Sequence, residues 1–232
     1  MASLTRFLQS TILSKIVMAA TGFALVMYLI IHMCGNLLIY YGRDHINTYG
    51  MFLHSLGPIL LLLRLILLLC LILHVWTSIR LKFLNMSARP VPYAKKQWIK
   101  ASLTSRTMLL SGVTIFTFVV YHVMHFTLGT TNPEHFHFID PSGKHDVYSM
   151  VILGFQQLPI SITYFIAMIL VGFHLNHAIG SMFQTLGVSH PKYDTLIERG
   201  SVILSVILVI GFLSVPLGVL SGLLKLPAGV AL

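Results

Sequence analysis

The sequence predicts an all-α membrane protein of five transmembrane helices, and three observations lead there. First, 56% of its 232 residues are hydrophobic and only 9% are charged, giving a mean hydropathy of +0.86. A soluble domain needs a charged surface and is seldom this apolar. Second, five apolar stretches, near 15–39, 57–81, 105–128, 159–183 and 200–222, reach the ~20 helical residues that cross ~30 Å of hydrocarbon. Third, the basic residues fall in the short segments between these stretches. That is the pattern of membrane topology, so the formal charge of +9 is not read as a nucleic-acid surface. The chain, 1–232, reads as a single membrane domain.

Each element has its own justification. The opening segment, Met1 to Ser14, is polar and slightly basic. It leads into an apolar run long enough to remain in the bilayer, so no cleavable signal peptide is expected. Pro159 suits the first turn of the fourth helix. Pro216 lies inside the fifth and is expected to kink it. The longest polar segment, Gly129 to Leu158, contains Asp146 to Gln157, which reads as a short amphipathic helix on the membrane surface. Cys34 and Cys70 sit singly in apolar runs, form no CxxC pair and read as small core side chains.

Lys and Arg are distributed unequally between the two sides. Arg6, Lys15, Arg80, Lys82, Arg89, Lys95, Lys96, Lys100, Arg106, Lys192 and Arg199 fall on one side, and Arg43, Lys144 and Lys225 on the other. The positive-inside rule then predicts a cytoplasmic N-terminus and an external C-terminus, in the cytoplasmic (inner) membrane.

A weak internal repeat is present. A shift of 90 residues lays Met18 on Met108, Gly22 on Gly112 and His32 on His122. A shift of 100 lays His74 on His174 and Phe83 on Phe183. The aligned histidines suggest two like-oriented two-helix units followed by a fifth helix.

Of twelve histidines, those in loops, such as His45, His135, His137, His145 and His190, have the ordinary solvated explanation. His32, His74, His122, His125, His174 and His177 fall inside apolar stretches, where an unpaired polar ring is costly. With a rise of ~1.5 Å per residue, His32 and His122 come out ~26 and ~27 Å above the cytoplasmic face. His74 and His174 come out ~10 and ~15 Å above it. Two pairs form, each from two helices. This is the arrangement a bis-histidine haem b requires, with one imidazole on each face of the macrocycle and no open position for oxygen. Two such haems would carry electrons across most of the bilayer, in a four-helix core flanked by the fifth helix. Gly22 and Gly112 would let flat haem faces approach the backbone. The alternative is that these histidines only bridge helices by hydrogen bonds. Zinc is disfavoured, because it wants three or four ligands at one point. His125 and His177 each follow a proposed ligand by three residues. They are secondary ligand candidates, or partners for propionates, backbone or a quinone. Arg64, deep in the second helix, calls for an anion such as a haem propionate; snorkelling to the outer interface is the alternative.

Several segments then match a known pattern: His32-Met33-Cys34-Gly35-Asn36, Ala88-Arg89-Pro90-Val91-Pro92-Tyr93-Ala94-Lys95-Lys96, Ser105-Arg106-Thr107-Met108-Leu109-Leu110-Ser111-Gly112, and Ser181-Met182-Phe183-Gln184-Thr185-Leu186-Gly187 followed by His190-Pro191. In this order, with four histidines in the corresponding helices, the chain resembles the cytochrome b558 type membrane subunit of succinate dehydrogenase and fumarate reductase, in its single-chain, five-helix, dihaem form. The resemblance covers most of the chain, from the first helix to the start of the fifth. It implies that His32 and His122 ligate the haem nearer the outside, and His74 and His174 the haem nearer the cytoplasm. It also implies an FAD-containing flavoprotein subunit and an iron–sulfur subunit docked on the cytoplasmic face, where the basic loop Arg80 to Arg106 lies. Electrons would pass between those centres, the haems and a quinone, expected to be menaquinone. The family's quinone-site residues have no clear counterpart here. The long outer loop and the tail after Lys225 depart from its shorter members.

The chain carries no flavin motif and no cysteine cluster, so it is not expected to oxidise succinate by itself. Two other functions fit the same residues. One is a haem b subunit of a hydrogenase or formate dehydrogenase; the other is a small transporter using intramembrane histidines for proton coupling.

Overall fold

A run of Leu, Ile, Val and Phe with few charges satisfies its backbone polar groups only as a helix when it sits in hydrocarbon. The computed structural model describes residues 10–88, 91, 103–188 and 190–226, and 84% helix with no strand is what they form. The long helices are α1 (Thr11–Leu37), α3 (Pro58–Ser87), α4 (Met108–His122), α6 (Leu158–Thr185) and α7 (Pro191–Leu220). Between them lie α2 (Arg43–Ser55) and α5 (Val147–Gln156). Five helical segments are long and apolar enough to cross a membrane: Thr11–Tyr41, Pro58–Ser87, Met108–Thr127, Leu158–Thr185 and Pro191–Leu220. The chain is an all-α, multi-pass membrane protein.

The helix ends differ instructively from the apolar windows. α3 runs six residues past the expected 81, and α7 begins at Pro191, well before residue 200. Apolarity marks only the stretch that needs hydrocarbon, whereas the helix continues through polar residues wherever its backbone bonds are maintained. At the start of α7, Pro191 supplies a preset first turn, and the Asp194 carboxylate accepts the His190 backbone N–H at 3.0 Å. Pro216 lies inside α7, and the helix continues through it. After α4 the backbone widens into a π-helical turn, Val123–Thr127, which carries His125.

Two compact units emerge from the contacts. The first contains residues 1–28, 64–112 and 173–205, and the second 29–63, 113–172 and 206–232. The division falls inside each of the five long helices.

The second unit holds a buried polar clasp that the sequence did not reveal. Asp146 caps α5 by accepting the Ser149 backbone N–H at 3.2 Å. Its carboxylate also receives Arg43 through Nε at 3.2 Å and Nη2 at 2.6 Å, and Asn47 Nδ2 at 3.0 Å. Asn47 Nδ2 also reaches Asp140 at 3.0 Å, while its Oδ1 accepts the Tyr148 backbone N–H. Lys144 closes the outside of the clasp on Asp44 at 2.6 Å. Burial pushes the Asp146 carboxyl up, but the hydrogen bonds from Arg43, Ser149 and Asn47 outweigh that and hold it below its ordinary value. α5 is therefore fastened to α2. Seven of its ten residues are buried, among them Ile152, Leu153 and Phe155. The surface-lying amphipathic helix expected here is instead a packed one. Its apolar side chains found protein to bury against, together with Ile39, Ile46, Val215 and Val219.

Candidate functional site

In the first unit, His74 on α3 and His174 on α6 are held in the same way. His74 Nδ1 lies 3.1 Å from the Met18 carbonyl and 3.4 Å from Thr21 Oγ1. His174 Nδ1 lies 3.1 Å from Ser111 Oγ. Each ring also rests on the glycine that follows its hydroxyl residue. A Cβ on Gly22 would stand 3.2 Å from His74 Cε1, and one on Gly112 would stand 3.6 Å from His174 Cε1. Thr21-Gly22 and Ser111-Gly112 are equivalent positions of the 90-residue repeat, as His74 and His174 are of the 100-residue one. The glycines were expected to admit flat haem faces; here they admit these two imidazoles. With Nδ1 engaged, each ring keeps Nε2 without a hydrogen bond to any described residue. An imidazole oriented through Nδ1 and open at Nε2 is the usual form of a metal-ligating histidine.

The second unit brings His32 and His122 face to edge, with ring centroids 5.7 Å apart and planes at 81°. An imidazole nitrogen binds a first-row metal at ~2.0–2.1 Å, so two rings on opposite sides of one ion have centroids about 6 Å apart. The 5.7 Å spacing is near that value, and a face-to-edge contact aims at most one ring's in-plane lone pair at the other ring. His122 Nδ1 lies 3.2 Å from the Tyr164 hydroxyl. Phe212 packs against His32 at 5.8 Å, and Phe118 against His122 at 6.0 Å. His32 Nε2 also approaches Asn36 Nδ2 at 3.4 Å, one turn along its own helix.

The two secondary candidates sit differently. His177 Nε2 bonds Ser181 Oγ at 3.2 Å within its own helix. His125 is 3% exposed and stacked on Phe126 with centroids 3.9 Å apart. Neither shares a ring contact with His32 or His74 among the described residues. Arg64 is exposed on α3, and no hydrogen bond or ion pair joins it to another described residue. Part of the basic loop, with Arg89, Lys95, Lys96 and Lys100, lies outside the described residues, as do Arg6 and most of the Ala88-to-Lys96 motif.

Reading the sequence did not single out Thr21, Ser111 or Tyr164. The first two had a signal available, a hydroxyl residue before each repeated glycine. Tyr164 had none, because nothing in its own helix marks it as the neighbour of His122. No protein-family model, curated protein or solved structure matches this chain.

Proposed function

We propose that this chain is a dihaem cytochrome b, the membrane subunit of a succinate:quinone oxidoreductase of the succinate dehydrogenase or fumarate reductase kind. It would pass electrons between an iron–sulfur subunit and a membrane quinone. The observation that carries the reading is the matched seating of His74 and His174. Two histidines at repeat positions each spend Nδ1 on a neighbouring helix and leave Nε2 for a metal. His32 and His122, at the other pair of repeat positions, are ring neighbours with centroids 5.7 Å apart.

Haem b bound at each pair would supply a one-electron carrier. The chain's own residues would do the rest. His74 and His174 would hold one iron, oriented by Thr21, Met18 and Ser111, and His32 and His122 the other. With two imidazoles for each iron, neither site would leave a position for oxygen. Arg64, charged and exposed on an apolar helix, has the chemistry to meet a propionate. The partners would be a flavoprotein carrying FAD and an iron–sulfur protein on the cytoplasmic side, reached through the basic segment Arg80 to Arg106, with menaquinone as the quinone. In this topology the N-terminus is cytoplasmic and the C-terminus external, in the inner membrane.

The test is to purify the full chain with its natural associates. Reduced-minus-oxidised absorbance should show two haems b per chain, and the associates should include a flavoprotein and an iron–sulfur protein. A chain that carries no haem sinks the proposal in favour of histidine-dependent transport. Two haems accompanied by a hydrogenase or formate dehydrogenase subunit would move it to that complex instead. A reporter placed after Leu232 should face outside and one near Lys95 the cytoplasm.

A further inference from the structure

Tyr164 stands between two imidazoles and has one proton to give. Its hydroxyl lies 3.2 Å from His122 Nδ1 and 3.2 Å from His125 Nδ1. A phenol donates once and accepts through its lone pairs. Two Nδ1–H donors could share those lone pairs, but the hydroxyl proton then has no acceptor, since these two nitrogens are its only partners among the described residues. With every group paired, one imidazole donates to Tyr164 and the other accepts from it, and the two rings take opposite tautomers.

The surroundings decide which ring does which. The edge of His125 opposite Tyr164 is closed: its Cε1 and Nε2 lie 3.2 Å from where a Cβ on Gly154 of α5 would stand. Its ring is stacked on Phe126 at 3.9 Å, and it sits in the π-helical turn that takes it out of α-helical register with His122. No metal could approach that Nε2 without displacing α5, which the Asp146 clasp holds. His122 is the reverse case. Its Nε2 has no hydrogen bond to a described residue, and its ring has His32 at 5.7 Å.

We infer that Tyr164 is the positioning residue of the His32–His122 site: it accepts the Nδ1–H of His122 and donates its own proton to His125 Nδ1, leaving His122 Nε2 free to ligate. His125 is then the terminal acceptor of a three-member chain and not a ligand. The inference rests on the dihaem reading and adds to it the residue that tunes one haem and not the other. An acceptor on Nδ1–H makes the imidazole a more basic ligand, which favours the oxidised metal. Donation onward to His125 strengthens that acceptor, since bonds in a chain polarise one another.

The experiment is a redox titration of the purified full-length protein with its associates, followed by absorbance and low-temperature electron paramagnetic resonance. Tyr164→Phe keeps the ring packed against Phe118 and Phe155 and deletes only the hydroxyl. It should raise the midpoint potential of the His32–His122 haem and shift its low-spin resonance, with the other haem unmoved. His125→Leu should shift the same haem in the same direction by less. Two haems with both potentials unchanged in Tyr164→Phe would overturn the inference and leave the dihaem reading standing. A parent protein without haem would overturn both. If Tyr164→Phe does not accumulate, His125→Leu decides: a smaller rise in that one haem supports the chain, and no shift or the loss of a haem overturns it.

Discussion

The two histidine pairs are held by different kinds of wall. Around His74 and His174 the wall is made of small residues: Thr21 and Ser111 meet the rings at Nδ1, and Gly22 and Gly112 leave open the space a Cβ would take beside them. Around His32 and His122 it is aromatic, with Phe118, Tyr164 and Phe212 near the rings and Phe126 and Phe155 packed on Tyr164. A short hydroxyl on a neighbouring helix can orient an imidazole only if the backbones come close, and glycine permits that approach. A tyrosine reaches further but must itself be held, here by Phe155 of α5 at 4.9 Å. In the first arrangement each ring is held by two neighbouring residues of one helix, Thr21-Gly22 for His74 and Ser111-Gly112 for His174. The second depends on α5, and hence on the clasp that fastens α5 to α2. The first site should accordingly tolerate damage to the loops, and the second should not.

The largest expected effect tests the pairing itself. On the dihaem proposal, leucine at His32 or at His122 should each remove the same haem, and leucine at His74 or at His174 the other. Haem content and resolved resonance signals of the four mutants measure this. If His32→Leu and His74→Leu abolish one and the same signal, the two-site description is wrong.

Next comes the clasp. Asp146→Ala leaves the Arg43 guanidinium without its carboxylate and removes the α5 cap, a change on the order of 3 kcal/mol. Thermal or denaturant unfolding should begin earlier, and the spectrum of the His32–His122 site should broaden before that of the His74–His174 site. Because the folded carboxyl titrates below its ordinary value of 3.8, its contribution is complete above that value and is lost as pH falls through the depressed one. Acid unfolding of the parent should thus start with the His32–His122 site, whereas Asp146→Asn should show no such step. Simultaneous loss of both spectra would remove the asymmetry.

A finer contrast lies within the small-residue site. A Cβ at position 22 would stand 3.2 Å from His74 and one at position 112 would stand 3.6 Å from His174. The first is tight and the second is ordinary contact. Gly22→Ala should shift the resonance and potential of that haem, and Gly112→Ala should leave both nearly unchanged. Equal effects would mean that the two rings are not seated as described.

The smallest effect concerns Arg64. Replacing it with leucine removes a positive charge, which disfavours the added electron and should lower one haem's potential modestly. Unchanged titrations of both haems would leave only snorkelling to the interface.

How much of this was legible beforehand depends on how local each feature is. The five long helices could be read directly, because hydrocarbon imposes length and apolarity on every residue of a span. The 90-residue offset sets His32 with His122, and the fold brings these rings within 5.7 Å; the 100-residue offset sets His74 with His174, whose Nδ1 atoms are held alike. α2 was missed: its sequence, from Arg43 to Ser55, is too polar to stand out beside the spans. It is held by Asn47 and Arg43 reaching residues about a hundred positions away. α5 reads as a short amphipathic helix, but its apolar face does not reveal what it is buried against.

By itself, then, the sequence determined what the bilayer requires of each segment independently: number of spans, helical state and the cost of a bare histidine in hydrocarbon. Only the tertiary structure decided which nitrogen of each imidazole is engaged and which neighbour engages it. It also decided that Tyr164, far from His122 in the chain, is that ring's hydrogen-bond partner. Hydrogen bonds act over about 3 Å and are directional. For His74, His122 and His174 the partner of Nδ1 is therefore whichever group the packing of helices brings to that point, and no spacing along one helix encodes it.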